Sequence, residues 1–361
     1  MRHLPLVALF AAACGQDYNV LQQPDVDPAD VTPCPFSPIS GTRFSRYDCN
    51  PVFTSTGEDW VDGGVGAVGY HAEEVLGHPF YQMWYSADRS DGRWGLGYAI
   101  SPDGTNWTAL ADNPVVVNPT QGWNRDAMGA VQVVWQGDAQ RYVLAYQGVN
   151  LETDGNGLGL LASSDGQVWE QLNDGKPFLQ LSQVVDGVRY CWPLALTWTA
   201  DVGFRGYING GKGLNSDLCE VYTYGGSDIG SIEPDNAKPI LPAGPKAYDR
   251  KGASSAAVVK FGETWYMFYA GIRDWQPIQD GWVAPYDTTL NLATSPDGLH
   301  WEKSPDNPID AVALKHRPSV IGNISAQVVG SRIHLWIDDD YDDVGQAVGY
   351  FLYEPDIEPF E

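Results

Sequence analysis

"SPDGTNWTAL" runs from Ser101 to Leu110, and "SPDGLHWEKS" repeats it from Ser295 to Ser304. A blurred copy, "SSDGQVWEQL", occupies Ser163–Leu172. Asp-Gly is a tight-turn signal, because glycine accepts the positive φ such turns demand. The tryptophan three residues after the glycine supplies a large ring to bury. The unit therefore reads as a turn between two strands with an aromatic wedge attached.

A second repeat sets the period. "NPVF" at Asn50, "NPVV" at Asn113, "KPFL" at Lys176, "KPIL" at Lys238 and "NPID" at Asn307 each place an apolar residue after proline. Their prolines lie roughly 62 to 69 residues apart, a spacing that means an array or a propeller. Within each period the chain reads as short runs rich in Val, Tyr, Trp and Phe, bounded by Gly, Asp and Pro. The fourth is clearest, with "SSAAVVKF", "TWYMFYAGI", "TLNLATSP" and "HWEKS". Four strands per unit and five units predict an all-β, five-bladed β-propeller. The fifth unit lacks an outer strand, and the segment near Arg43–Phe53 is expected to supply it and close the ring.

The 361 residues include 21 Lys plus Arg against 46 Asp plus Glu, a net charge of −25. Such a surface repels phosphate backbones, so nucleic acid is not an expected partner. The start, "MRHLPLVALFAAACGQD", has a basic residue, a short apolar run and small residues before Cys14, the pattern of an export signal. Small residues directly before Cys14 resemble a bacterial lipoprotein signal. The expectation is an exported lipoprotein of the periplasm, outer membrane or cell surface, membrane-attached only through lipid on Cys14, and monomeric. Residues 1–14 form the signal, 15–39 a flexible Pro- and Asp-rich tether, and 40–361 the propeller. The remaining Cys34, Cys49, Cys191 and Cys219 suit two disulfides, with Cys34–Cys49 and Cys191–Cys219 the local pairings among three possible. CxxC and HxxxH spacings are absent, so no metal site is assigned. The acidic run "DDDYDD" from Asp338 leaves calcium conceivable, but its spacing is not that of an EF-hand; a solvated loop is expected. No other cofactor is implied.

In a propeller, the links between blades and the loops joining second to third strands share one face, and the "SPDG" turns share the other. The first strand of each blade lines a central channel, so five segments converge at its entrance. Three carry aspartate: Asp62 in "DWVDGGVGAV", Asp126 in "WNRDAMGAV" and Asp249 in "AYDRKGASSAAVV". Arg125 and Arg250 accompany two of them. The third entrance reads "RYCWPLAL", with Trp192, and the fifth "KHRPSV", with His316 and Arg317. Crowded carboxylates split their pKa values, leaving one protonated and one ionised, as glycoside hydrolysis needs. The loop "IRDWQPIQDGWVAPYDT" adds Trp275, Trp282 and Tyr286 as flat surfaces for sugar rings.

"WYMFYAG" followed by "LNLATSPDGLHWEK", with aspartate at blade entrances, resembles the five-bladed glycoside hydrolase superfamily of arabinanases, invertases and levansucrases, whose best-known members are families 43 and 32. The resemblance covers about Asn50–Tyr353. It implies a carbohydrate ligand, a base or nucleophile at Asp62 with Asp59 as rival, and a substrate-binding or transition-state role for Asp126 in "NRDA". Those enzymes keep a catalytic Glu at the third entrance, where this chain has "YCWP". Glu220 or Asp249 would have to replace it as acid. Without an acid the chain would be a carbohydrate-binding protein, and a propeller presenting loops to a protein partner is a further alternative.

Overall fold

The computed structural model describes residues 34–54, 60–75, 78–89, 94–150, 155–180, 188–212, 218–235, 238–277, 283–309, 321–341 and 345–360. Five antiparallel sheets follow one another along the chain. Blade one comprises Val61–Val75, His78–Arg89, Trp94–Ser101 and Thr108–Ala109, and blade two Ala127–Gln136, Arg141–Asn150, Gly155–Ser163 and Glu170–Gln171. Blade three comprises Val188–Thr199, Gly203–Lys212, Glu220–Gly226 and Glu233–Asp235, and blade four Ala253–Phe261, Thr264–Pro277, Val283–Ser295 and Glu302–Lys303. Blade five takes Ile324–Val329, Arg332–Tyr341 and Gly345–Tyr353 from the end of the chain. Each first strand packs against the next, and the last packs against the first, so the ring closes.

Closure uses the N-terminal segment, as the sequence predicts. Phe44–Tyr47 pairs with Gly345–Tyr353 as the missing fourth strand, and Phe53 bridges Val348. Phe36–Pro38 adds a fifth strand outside it. This corrects the tether boundary: Phe36–Pro38 belongs to blade five, because its backbone completes a hydrogen-bonded hairpin with Phe44–Tyr47. Cys34 and Cys49 form the expected disulfide across that hairpin. The second expected bridge does not form, since Cys219 is a buried thiol. The register explains it. Tyr190 pairs with Gly210 and Gly210 with Glu220, so a whole strand separates the neighbourhoods of Cys191 and Cys219. Two strand spacings come to about 9.6 Å, beyond the ~7 Å that a disulfide spans.

Blades have two buried faces, which is why their strands read as nearly continuous apolar runs. The buried side chains fall into clusters at the seams. Trp84, Leu96 and Tyr98 of blade one meet Tyr142, Leu144 and Tyr146 of blade two, and Phe268, Leu290 and Leu292 of blade four meet Leu335, Ile337 and Phe351 of blade five.

The repeated turns hold themselves and then hold a neighbour. In each, the serine hydroxyl accepts from the glycine N–H (Ser101–Gly104, 2.9 Å; Ser163–Gly166, 2.8 Å; Ser295–Gly298, 2.9 Å). Asp103, Asp165 and Asp297 accept from the two following backbone N–H groups at 2.8–2.9 Å. Trp107, Trp169 and Trp301 donate to the carbonyl of their own turn glycine. That carbonyl also receives a donor from the preceding blade: Trp336 for Gly104, Trp84 for Gly166 and the Tyr207 hydroxyl for Gly298. The expected wedge between blades is therefore present, in edge-on contacts of Trp169 with Trp84 and Trp301 with Tyr207.

The Asn-Pro copies of the second repeat work beside the third strand in three of the blades. Asn113 accepts from the N–H of Tyr98 and donates to its carbonyl, at 2.8 and 3.1 Å. Asn307 does the same to Leu292, and Asn50 to Tyr350. The side-chain amide stands in for a strand residue beside the third strand.

Candidate active site at the channel entrance

The first strands do not enter the channel straight. The register slips between Val61 and Val65 in blade one, Gly129 and Gln132 in blade two, Tyr190 and Pro193 in blade three, and Ala253 and Ser255 in blade four. Bulges of this kind bend a strand and re-aim its side chains. Asp62 lies inside the first slip and Trp192 inside the third. The side chains of Asp62, Trp192 and Tyr286 lie outside the described residues, as do Cys14, Asp59, Trp282, His316 and Arg317 altogether.

The second entrance is built in most detail. Trp123 stacks on Tyr146 with centroids 5.6 Å apart and donates to the Gly175 carbonyl. Asn124, buried, donates to the Tyr146 hydroxyl at 3.0 Å. Gly148 lies beneath, where a Cβ would meet Trp123 at 2.4 Å and Asn124 at 2.5 Å. The Asp126 N–H donates to Val149, and the Arg125 carbonyl accepts from Asn118. Backbone and flanking rings are thus fixed, while Arg125 and Asp126 remain partly open. Their side chains are 28 % exposed each and meet at 3.3 Å. A fixed backbone presenting a partly exposed carboxylate and guanidinium is an arrangement that suits a polar ligand.

Asp249 is placed differently from the expectation. It is 1 % exposed, and its Oδ2 meets Lys303 Nζ at 2.6 Å and the Tyr269 hydroxyl at 3.0 Å. Lys303 belongs to the outermost strand of blade four, so the carboxylate is directed across the blade, away from the channel wall. Burial pushes its pKa up, against the pull of Lys303, and Oδ1 is buried without a hydrogen-bond partner. Burial, and after it the Asp249 charge, holds the Tyr269 phenol far above its ordinary range. Glu220 accepts from the Ala243 N–H at 3.4 Å, in the same link between blades three and four. Lys303 Nζ also donates to the carbonyls of Pro242 and Gly244. Glu220 and Asp249 thus both contact the link between blades three and four. For Asp249 the reason is local: Lys303 folds under this link, and the carboxylate completes its acceptor set with the carbonyls of Pro242 and Gly244.

Arg250 is drawn to blade four as well. It donates to the Arg273 carbonyl and pairs with Asp274 at 2.7 Å, both partners half exposed. These contacts stand at the root of an arm, since Thr264–Pro277 and Val283–Ser295 stay paired out to Pro277 and Val283. Trp275 lies in this arm, half-buried. Asp338 and Asp339 correct the expectation of a solvated acidic loop. They are 1 % and 4 % exposed, inside the strand Arg332–Tyr341. A Cβ on Gly66 would lie 2.8 Å from Asp338 Oδ2, and the glycines at 66 and 322 leave the room this carboxylate fills. The signal was the alternation His334, Trp336, Asp338, which puts the aspartate on the face turned to blade one. Among the described residues no cluster of three His, Cys, Asp or Glu side chains suits a metal ion.

No protein-family model matches the chain, and no curated protein matches it. Solved structures do. The structure of a BT0996 RGII complex aligns over 86 % of this chain and 94 % of its own, with TM-score 0.61 and 14 % identity. A β-1,2-mannobiose phosphorylase from Listeria innocua, in complex with β-1,2-mannobiose, aligns over 86 % and 96 %, with TM-score 0.57 and 14 % identity. A thermostable family-43 glycoside hydrolase aligns over 84 % and 94 %, with TM-score 0.56 and 14 % identity. The chain is a five-bladed β-propeller of the fold these solved structures share.

Proposed function

We propose that the protein binds a saccharide at the channel entrance and cleaves its glycosidic bond, with Asp126 and Arg125 as the ligand-contacting pair and Asp62 as base or nucleophile. The observation that carries the reading is the entrance of blade two. Trp123 and Asn124 are locked, while Arg125 and Asp126 are left partly open side by side. A carboxylate–guanidinium pair at the mouth of a channel matches the vicinal hydroxyls of a sugar. The register slip between Val61 and Val65, one blade earlier, spans Asp62 and supports its choice as the second carboxylate. The saccharide named for the structurally similar phosphorylase complex points the same way.

A second reading is non-catalytic carbohydrate binding at the same place. It is favoured by the burial of Asp249 against Lys303 and by the contact of Glu220 with the link, which count against either as the acid. A panel of aryl glycosides and oligosaccharides, assayed for turnover and for binding, separates the readings. Turnover abolished in Asp62→Asn and Asp126→Asn supports hydrolysis. Binding without turnover in the wild type supports the second reading. Saccharide binding unchanged in Asp126→Ala removes the entrance from both.

Export with lipid attachment at Cys14 belongs to the same proposal, and the Cys34–Cys49 disulfide supports an oxidising compartment. Cys14→Ser should move the protein from the membrane fraction to the soluble one.

A further inference from the structure

The link that Asp249 and Glu220 brace has an outer side. Between its tip, Pro245–Tyr248, and the outer half of blade four lies a cavity of about 650 Å³. That volume is in the range of small-ligand sites. It lies on the flank of blade four: its described walls come from the link, from Arg273 and Thr289, from Lys303 in the outermost strand, and from Ser304, Pro305, Asn307 and Pro308 beyond it.

The lining has a sign. Lys246, Arg273 and Lys303 face the cavity and, among the described residues, no acidic side chain lines it, although the exposed Asp306 stands between the lining residues Pro305 and Asn307 and the chain's acids outnumber its bases by 46 to 21. Two of these cations are paired with acids outside the lining: Asp249 is buried beneath Lys303, and Asp287 meets Arg273 at 3.0 Å. The three cations are not equivalent. Lys303 spends its three N–H groups on Pro242, Gly244 and Asp249, so it supplies field and shape. Arg273 carries five N–H donors and stays 41 % exposed. Lys246 is exposed and makes no ion pair among the described residues. Tyr248 and the ring of Pro308 supply apolar surface, and Ser304 and Asn307 polar edges.

We infer that this flank cavity is an accessory site for a carboxylate-bearing sugar unit, a uronate, with Lys246 and Arg273 taking the carboxylate and Tyr248 with Pro308 the ring. The choice of a sugar rests on the reading of the channel; the preference for an anion rests on the lining alone.

The test is isothermal titration of the full chain with trigalacturonate, with its fully methyl-esterified form and with inorganic phosphate. Binding of the acid form at least tenfold tighter than the ester, lost in Lys246→Glu and in Arg273→Gln but kept in Asp126→Asn, is the expected result. Lys246→Glu alters an exposed side chain, so its circular dichroism and melting should match the wild type and folding is not at issue. Equal binding of acid and ester, or binding indifferent to Lys246→Glu, overturns the site. Binding of phosphate with none of trigalacturonate overturns the sugar and leaves an anion pocket. Failure of Asp126→Asn to affect any saccharide at the channel sinks the proposed function and leaves this inference standing on its own result.

Discussion

The indole N–H of Trp84, in blade one, donates at 2.7 Å to the carbonyl of Gly166, in the turn of blade two. Gly166 has φ +77°, and a Cβ there would meet Trp84 at 2.6 Å. Two blades are thus fastened through one glycine. Trp84→Phe removes the donor and leaves a buried carbonyl with the Trp169 indole alone; a loss of about 1–3 kcal/mol is expected. Gly166→Ala adds backbone strain and a clash, for a loss of about 2–4 kcal/mol. Urea titrations should show lower midpoints with unchanged slope. Saccharide binding should survive in both, since the turns face away from the channel entrance.

Asp249 and Asp126 should fail in opposite ways. Asp249→Ala leaves Lys303 charged and nearly buried, which costs about 3–5 kcal/mol. Melting temperature should fall steeply while the folded fraction still binds ligand. Asp126→Ala, at a half-open position, should change stability by less than about 1 kcal/mol and abolish binding. A thermal melt and one binding titration for each variant check the contrast. Asp249→Ala that melts like wild type but no longer binds would return Asp249 to the channel.

Stability should decline with acid in two stages. Burial lowers the pKa of His71, packed on Trp135 and Tyr142, to about 4. Burial, then the Arg332 charge, lowers that of His334 to about 4 as well. Unfolded histidine titrates near ~6.5, so the neutral native form is fully favoured above that pH, and the advantage drains away from about 6.5 down to 4. Each histidine contributes up to about 3 kcal/mol to this loss. Asp103, Asp165 and Asp297 act lower. Burial opposes their ionisation, but the backbone N–H groups they accept outweigh it and depress their pKa values. Their contribution is complete above the unfolded value of about 3.9 and is lost as pH falls below it. His71→Phe with His334→Phe should flatten the stability curve from pH 6.5 to 4 and leave the lower limb intact.

Reduction should open the ring where it is closed. The Cys34–Cys49 bridge encloses 15 residues of sequence separation and both N-terminal strands. Chain entropy gives such a loop about 3 kcal/mol. Cys34→Ser with Cys49→Ser should lower the melting temperature, and amide exchange should rise first at Phe44–Tyr47. Uniform exchange across all blades would mean that closure does not depend on the bridge.

The architecture was legible because turns and periods are local. "SPDGTNWTAL" contains every atom that closes its own turn, and the Asn-Pro spacing counts the blades. The N-terminal closing strand was legible by elimination, from one unit that ran short. The site was less so. An aspartate at a blade entrance looks the same whether it faces the channel, as the position of Asp126 allows, or reaches across the blade like Asp249. What separates them is Lys303, 54 residues downstream, and that pairing exists only once blade four is assembled. Asp338 is opaque in the sequence for the complementary reason. A run of acids looks solvated until Gly66 and Gly322 are seen to make room for one of them. Cys219 misleads because proximity along the chain ignores the strand that intervenes.

The side-chain amides of Asn50, Asn113 and Asn307 have an effect beyond their own blades. The strand outside the third in each of these sheets is broken, and at the break the third strand would show an open N–H and C=O to the surroundings. Such rows are where a foreign strand docks. Asparagine plugs the gap with a donor and an acceptor in one group, so the third strand shows no open backbone pair there. Colloidal behaviour at high concentration is thus written into a motif that first looked like a mere spacer: soluble oligomers and fibres should emerge from chains lacking these amides well before the fold itself gives way.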